Sequence, residues 1–474
     1  MKKNYIILSI LALTVVSMTV SSCKSDDDVE YDDHCYISSY SLGSIKRIMY
    51  TTATTGEDST YYYTFAGSIF PMTINQKTLT IENLDSLPLR SNVSAVLTTV
   101  GYTGVLAWRE KTDDNSATWE TYSSSDSMDL TKPLEYAVMS TDGTSSRIYD
   151  LKVNVHQQRG DTMVWNQLDP TISTTAMTGL GERRMVVLND QLYTLALNGE
   201  GSLLALSHPL SVATADDQWT TSSTTGADGI NLTSLQQSDG TLYASTTSGA
   251  VISSTDGTTW NTLAAATDGI TLTGVSSAYL YAMADGTIKR MAVTGGTWED
   301  ETVDDDTSLL PTTGIMSQTY QQTNGYHRIV MAGTREESAD TSAVVWSKMW
   351  VNDSQESEAS WVHYTRSAAD KHQCPILEST NMLPYDDGLI VFGGKSSTGH
   401  TSAMGMLFYS ADNGLVWKLT EHGDMNIEPA LTEAAQSAQY ISGAVDKNNF
   451  LWILTDGLVW RGRINRLGFL RQDI

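Results

Sequence analysis

The sequence predicts an all-β protein with two folded parts: an immunoglobulin-like sandwich, then a six-bladed β-propeller whose ring is closed by a strand from its own N-terminal end. Three observations carry this expectation. Thr, Ser, Gly and Tyr are abundant while charged residues make up only 18% of the chain, a mix that favours strands and turns over helices. Residues 35–157 break into apolar runs of strand length separated by turn residues. From residue 161 onward a unit of roughly 40 residues recurs, and each copy ends near a Trp.

The N-terminus comes first in order. Lys2 and Lys3 precede an apolar run over residues 6–20, which is too short and too polar at its end for a comfortable membrane span. It closes on Val20-Ser21-Ser22-Cys23. A branched apolar residue, two small residues and a cysteine form the pattern of a lipoprotein signal. Residues 1–22 are therefore expected to be cut away between Ser22 and Cys23, with the Cys23 thiol taking a diacylglyceryl group. Long acyl chains contribute about 0.8 kcal/mol per buried methylene, so the membrane is the expected partner at this end. The polar run Lys24, Ser25, Asp26, Asp27, Asp28 resembles the export signal of Bacteroidota-type lipoproteins. That resemblance implies display on the outer face of the outer membrane; a plain spacer on a periplasm-facing lipoprotein is the other reading. Residues 23–34, acidic and poor in apolar side chains, are expected to form a tether without regular structure.

Charge narrows the partners. The chain carries 55 acidic and 29 basic residues, a net −26, and loss of Lys2 and Lys3 with the signal takes −26 to −28. Such a surface repels nucleic acid and anionic lipid. A neutral glycan or a surface protein fits it. Beyond Cys23 only Cys35 and Cys374 remain, which is no disulfide framework. The nearest histidines, His363 and His372, lack metal-ligand spacing. No metal and no cofactor is expected.

In the first folded part, residues 44–50, 61–65, 69–74, 78–81, 92–100 and 147–155 read as strands. The last alternates polar and apolar residues with the period of a half-buried strand, and Asp142-Gly143 just before it is a hairpin turn signal. The length suits an immunoglobulin-like sandwich, with Trp108 and Trp119 as core residues or, in the other reading, an exposed sugar platform. It resembles the sandwich modules that sit as spacers beside the lipid anchor of Bacteroidota surface lipoproteins. The polar stretch 157–161 marks the boundary.

In the second part the clearest copy places strands at 233–235, 242–244 and 250–252 and then reaches Trp260; the next runs through 274–275, 280–282 and 288–290 to Trp298. Trp219, Trp260, Trp298, Trp361 and Trp417 mark five outer strands. A sixth copy, 440–444, 450–454 and 458–464, stops without one. Residues 163–168 around Trp165 supply the missing piece from the other end, which pairs the last free edge.

Ser410, Asp412, Gly414 and Trp417 match the Asp-box, Ser-x-Asp-x-Gly-x-x-Trp, and Ser254, Asp256, Gly257 and Trp260 form the same motif one residue shorter. Its chemistry is structural: the carboxylate caps backbone N–H groups of a tight turn and the Trp buries between blades. Residues 389–394 are kelch-like. The whole arrangement, down to an ending like 460–469, resembles an uncharacterised family of Bacteroidota surface lipoproteins with an N-terminal sandwich and a C-terminal propeller. The resemblance implies that fold and no activity.

No catalytic constellation emerges. A sialidase needs three clamping arginines and a Phe/Tyr-Arg-Ile-Pro motif. The nearest candidate, Glu182-Arg183-Arg184-Met185, does not match; Arg183 and Arg184 read as a solvated start to the first blade, with a ligand clamp as the other reading. Asp304, Asp305 and Asp306 read as a solvated loop. There is no Gly-x-Ser-x-Gly elbow, and Gly394-Lys395-Ser396 lacks the first glycine of a phosphate loop. The expected function is non-catalytic recognition of a glycan or protein at the axial face, with Tyr326 and Tyr385 as stacking surfaces. The alternative is a carbohydrate-active enzyme, a glycoside hydrolase of sialidase-like type, with carboxylates on the axis.

Overall fold

The computed structural model describes residues 32–469 apart from 53–57, 115, 169–178, 211–218, 323, 336–339, 366, 368–369, 378–379, 394–406 and 421–424. The predicted signal peptide, Cys23, the acidic run 24–28 and the phosphate-loop echo at 394–396 lie outside the described residues. The chain divides into two compact units that part between Arg159 and Gly160. Strands dominate both.

The first unit holds a six-stranded sheet in the order Met72–Asn75, Thr80–Asn83, Ser146–Lys152, Leu134–Met139, Val105–Glu110, Glu120–Thr121. Two three-stranded sheets accompany it, one centred on Val96–Thr103 and one on Ser44–Thr52. Ser146–Lys152 alternates as expected, with Tyr149 and Leu151 buried. It pairs antiparallel with Leu134–Met139 and parallel with Thr80–Asn83. One core joins Ile37, Leu42 and Ile45 to Ile81, Tyr136 and Tyr149. Two of the expected strands are divided: 69–74 opens in a 3₁₀ turn at Gly67–Ile69 before the strand Met72–Asn75, and 92–100 splits into Ser91–Asn92 and Val96–Thr103. Ile69 is exposed, so apolar character there marks no strand.

The second unit contains six four-stranded antiparallel sheets among the described residues. In chain order their innermost strands are Arg183–Leu188, Gln236–Ser238, Thr271–Val275, Thr313–Gln321, Asn381–Tyr385 and Ile441–Val445. Tight turns make these sheets. Asn189-Asp190, Asp239-Gly240, Asp285-Gly286 and Asp386-Asp387 each join two strands with both turn residues at positive φ, the conformation that matches strand twist in a two-residue hairpin. Trp219, Trp260, Trp298, Trp361 and Trp417 each stand one residue before the outermost strand of their sheet, which begin at Thr220, Asn261, Glu299, Val362 and Lys418. In the sixth sheet the outermost strand is Met163–Gln167, paired in register with Leu458–Ile464, Trp165 opposite Gly462. Among the described residues two α-helices have no counterpart in the sequence reading: the single turn Asp353–Glu356, and Pro429–Ser437, which buries Leu431 and Ala435 against the core of the sixth sheet. The strand expected at 233–235 is instead a 3₁₀ turn, Leu232–Ser234, followed by the strand Gln236–Ser238.

Innermost strands have one edge without a strand partner, so side chains must satisfy part of their backbone. Ser442 Oγ accepts from Met185 N at 2.8 Å, linking the sixth sheet to the first. Gln237 Nε2 donates to Val187 O at 2.6 Å, linking second to first. Thr319 Oγ1 donates to Val275 O, linking fourth to third, and Asn381 Oδ1 accepts from Gly443 N, linking fifth to sixth. Small hydroxyl and amide residues are therefore required where the strands converge.

Candidate functional site in the central channel

Two cavities lie among the innermost strands. One, of about 380 Å³, is lined by their C-terminal halves, including Val187, Gln237, Thr319 and Val445. The other, of about 740 Å³, is lined by their N-terminal ends, including Glu182, Thr271, Thr313 and Tyr440. Arg184, Thr233, Ile315, Met316 and Thr380 line both, so the cavities are consecutive stretches of one channel. Each volume falls in the range of roughly 300–1,000 Å³ usual for ligand sites.

The channel wall is rich in hydroxyls and amides, with Thr233, Thr273, Ser317, Gln318 and Thr380 among its residues. No aromatic ring lines the first cavity. Tyr440 lines the second, with the Arg183 guanidinium 4.8 Å from its ring centre. Charge is sparse. Among the described lining residues the cations are Arg183 and Arg184, and the carboxylates are Asp239 in the first cavity and Glu182 in the second.

Arg183 and Arg184 correct the sequence reading of a solvated blade start. The strand they open is innermost, which turns both into the unit. Arg183 is buried and donates to the carbonyls of Leu180, Gly181 and Asp456. Arg184 lines both cavities, and its Nε donates to Leu232 O at 3.4 Å. Burial pulls the Arg184 pKa down while the Glu182 carboxylate opposes it. Burial likewise pushes Glu182 up, against the pull of Arg184. An arginine keeps its charge at neutral pH regardless.

Among the candidate clamp arginines, Arg290 pairs with Glu299 and Glu301, Arg335 with Asp340, and Arg328 donates to Ser347 and Tyr364. None of the three lines the channel, where the arginines among the described residues are Arg183 and Arg184. Glycoside hydrolysis by two carboxylates needs both to flank one bond, about 5–10 Å apart. Asp239 and Glu182 instead line different cavities. Asp304, Asp305 and Asp306 are exposed, Asp306 capping Ser308 N. Cys35 and Cys374 are both buried, one in each unit.

Tyr385 is also corrected. It is buried, its hydroxyl accepts from Ile464 N at 3.1 Å, and burial pushes its pKa up to about 12. It is a packing residue and offers no stacking surface. Tyr326 is 37% exposed but lines neither cavity. The exposed aromatics that sequence reasoning passed over are Tyr61, Tyr62 and Tyr63 on the strand Asp58–Ala66, each at least half exposed. Three consecutive aromatics in a strand cannot all face one core, and that signal was available.

The Ser-Asp turns lie outside the channel. Ser410 Oγ donates to Asp412 Oδ1 and accepts from Gly414 N, while Asp412 accepts from Val416 N. Trp417 is buried, with Nε1 on Gly414 O. In the shorter turn Asp256 Oδ1 accepts from Thr259 N at 2.7 Å and Thr258 N at 2.8 Å. The Thr259 N–H is the main reason its carboxyl is held at about 2, below the ordinary 3.8. The stabilisation this gives is present above the ordinary value and is lost as pH falls toward 2. Asp256→Asn is expected to cost about 1 kcal/mol at pH 7 and to weaken the acid limb of a stability–pH profile; an unchanged urea midpoint at pH 7 would contradict this.

Residues 159–472 match the family described as "DUF6242 beta propeller domain", and residues 40–153 match the DUF6242 N-terminal domain, a domain of unknown function. The chain belongs to the DUF6242 family. Its second unit is accordingly a β-propeller domain. None of the curated proteins matches the chain. Among solved structures, a DUF4623 family protein from Bacteroides eggerthii is similar at 12% identity and a TM-score of 0.34, covering 89% of this chain and 98% of its own. A protein of unknown function from Bacteroides thetaiotaomicron has 12% identity and a TM-score of 0.40, covering 83% and 98%. An α-L-arabinanase from Penicillium chrysogenum, complexed with arabinobiose, has 12% identity and a TM-score of 0.37, covering 64% and 98%.

Proposed function

We propose that this DUF6242 protein is a lipid-anchored outer-membrane surface lipoprotein whose propeller is a non-catalytic binding module for a glycan. In this reading the six four-stranded sheets are six blades around one axis, closed by Met163–Gln167. The first unit is an immunoglobulin-like spacer, and the Ser254 and Ser410 turns are Asp-boxes that brace the outer hairpins.

The observation that carries the binding reading is the channel's chemistry. It offers hydroxyls, amides and one accessible guanidinium, and among its described lining residues each cavity has a single carboxylate, Asp239 in the first and Glu182 in the second. Hydroxyl and amide side chains hydrogen-bond sugar hydroxyls in both donor and acceptor roles, whereas hydrolysis needs an acid and a second carboxylate at the same bond.

A glycan array with the unlipidated chain starting at Asp33 tests it. Expected is selective retention of a subset of glycans, abolished by filling the channel with Thr380→Trp and unaffected by Tyr62→Ala on the first unit. Release of reducing sugar from any retained glycan would establish the enzyme instead. For the anchor, labelled palmitate is expected to enter the wild-type chain and not Cys23→Ser, and surface protease is expected to reach the wild type on intact cells.

A further inference from the structure

Resting on the binding reading above, we infer that the channel selects a ligand bearing a single carboxylate, such as a sugar chain ending in a uronic acid, and that Arg184 is the group that receives it. The observation is a guanidinium with no direct ion pair among the described residues, inside a hydroxyl-lined channel. Arg184 lies where the two cavities meet. It forms no ion pair within 4.0 Å, and with the described residues it makes a single hydrogen bond, from Nε to Leu232 O. Both terminal nitrogens are left with their donors free in that sense.

The neighbouring arginine shows that this is a local choice. Arg183, one residue earlier, is tied down by three backbone carbonyls and has no donor set to offer. Some other enclosed cations have a carboxylate, Lys348 and Arg290 sharing Glu301 and Arg109 pairing with Glu135, and Arg328 has the hydroxyls of Ser347 and Tyr364. Glu182 favours the Arg184 charge without touching it, but a half-buried guanidinium whose terminal nitrogens lack hydrogen-bond partners is costly unless water or a ligand completes it. Its planar fork matches a carboxylate through two parallel hydrogen bonds.

Position and net charge define the ligand further. Glu182 lies beside Arg184 on the side of the second cavity and repels an incoming anion there. The carboxylate therefore arrives through the first cavity, where Gln236, Gln318 and Thr319 line the approach to Arg184. A chain of net charge −26 repels polyanions at long range. That favours one acidic group on an otherwise neutral, hydroxylated ligand over a sulfated or polyuronic chain.

The test compares binding of oligosaccharides ending in glucuronate with the same oligosaccharides ending in glucose, by calorimetry on the full mature chain in detergent. A charged hydrogen-bonded pair contributes about 1.5–3 kcal/mol, roughly a 10- to 100-fold preference for the acidic form. Arg184→Gln is expected to abolish that preference, and Arg184→Lys to keep part of it. Because Arg184 makes one long hydrogen bond, Arg184→Gln should melt within a few degrees of wild type. Equal binding of acidic and neutral forms, or a preference that survives Arg184→Gln, overturns the role of Arg184 and leaves the glycan reading standing. Tighter binding of sulfate- than of glucuronate-terminated forms overturns the carboxylate assignment. Binding of neither acidic nor neutral saccharides, together with a blank array, overturns the glycan reading as well.

Discussion

Trp165→Ala is expected to destabilise the propeller unit by about 3–5 kcal/mol, the usual cost of emptying a buried indole site. Trp165 is 8% exposed and packs in one core with Met163, Tyr385, Phe392 and Trp460. Its Nε1 donates to Asn426 O at 2.8 Å. Its ring fills the space over Gly462, where an added Cβ would come within 2.5 Å of the indole. The loss does not stop at one cavity. The strand that Trp165 anchors comes from the start of the unit and pairs with Leu458–Ile464 at its end, so weakening it frees the edge of the sixth sheet. Urea unfolding should show the lowered midpoint, and limited proteolysis should cut near residue 160 before the rest of the unit. Trp219→Ala, which removes a partly exposed Trp beside the outer strand of the first sheet, should cost less. A Trp165→Ala midpoint equal to that of Trp219→Ala would show that the closing strand contributes no special stability.

Glu301→Gln is expected to cost about 3–5 kcal/mol, because it strands the enclosed Lys348, which has no other ion pair within 4.0 Å among the described residues, while Arg290 keeps Glu299. The Glu301 and Lys348 side chains are both fully enclosed, with Nζ 2.5 Å from Oε2. The other carboxylate oxygen takes Arg290 at 2.9 Å, and Lys348 also sits 5.1 Å from the Tyr281 ring. Lys348→Met should cost less: it removes the most buried charge outright and leaves Glu301 with Arg290. Burial already lowers the Lys348 pKa below the ordinary lysine value, with Glu301 opposing that shift. Without Glu301 the shift deepens. The unfolded chain then binds more protons than the folded one over the alkaline range, so stability rises with pH there. The Glu301→Gln deficit should therefore shrink between pH 7 and pH 10. A deficit that is constant or grows over that range would show that Lys348 stays charged.

The placement of strands in the second unit was largely legible because it rests on local chemistry. A Trp one residue ahead of five of the six outer strands and Asn/Asp/Gly pairs at the hairpins act over a few residues, and the side-chain period of two follows from the backbone itself. The short helix Pro429–Ser437 escaped notice because one buried turn, Leu431 and Ala435, is too little periodicity to register against strands.

The channel was a different matter. Read along the chain, Glu182-Arg183-Arg184 is a charged segment like any on a surface, and Tyr385 is an aromatic next to acidic residues. Only the convergence of innermost strands from sheets tens of residues apart turns Arg184 inward, buries Tyr385 under Ile464, and sets Lys348 against a carboxylate 47 positions away. The order of strands and turns was thus written in the sequence itself, since each is specified by residues in contact along the chain. Which charges are enclosed, and which one is left facing a cavity, was decided by tertiary structure, since desolvation depends on neighbours that the chain brings together only when the sheets assemble.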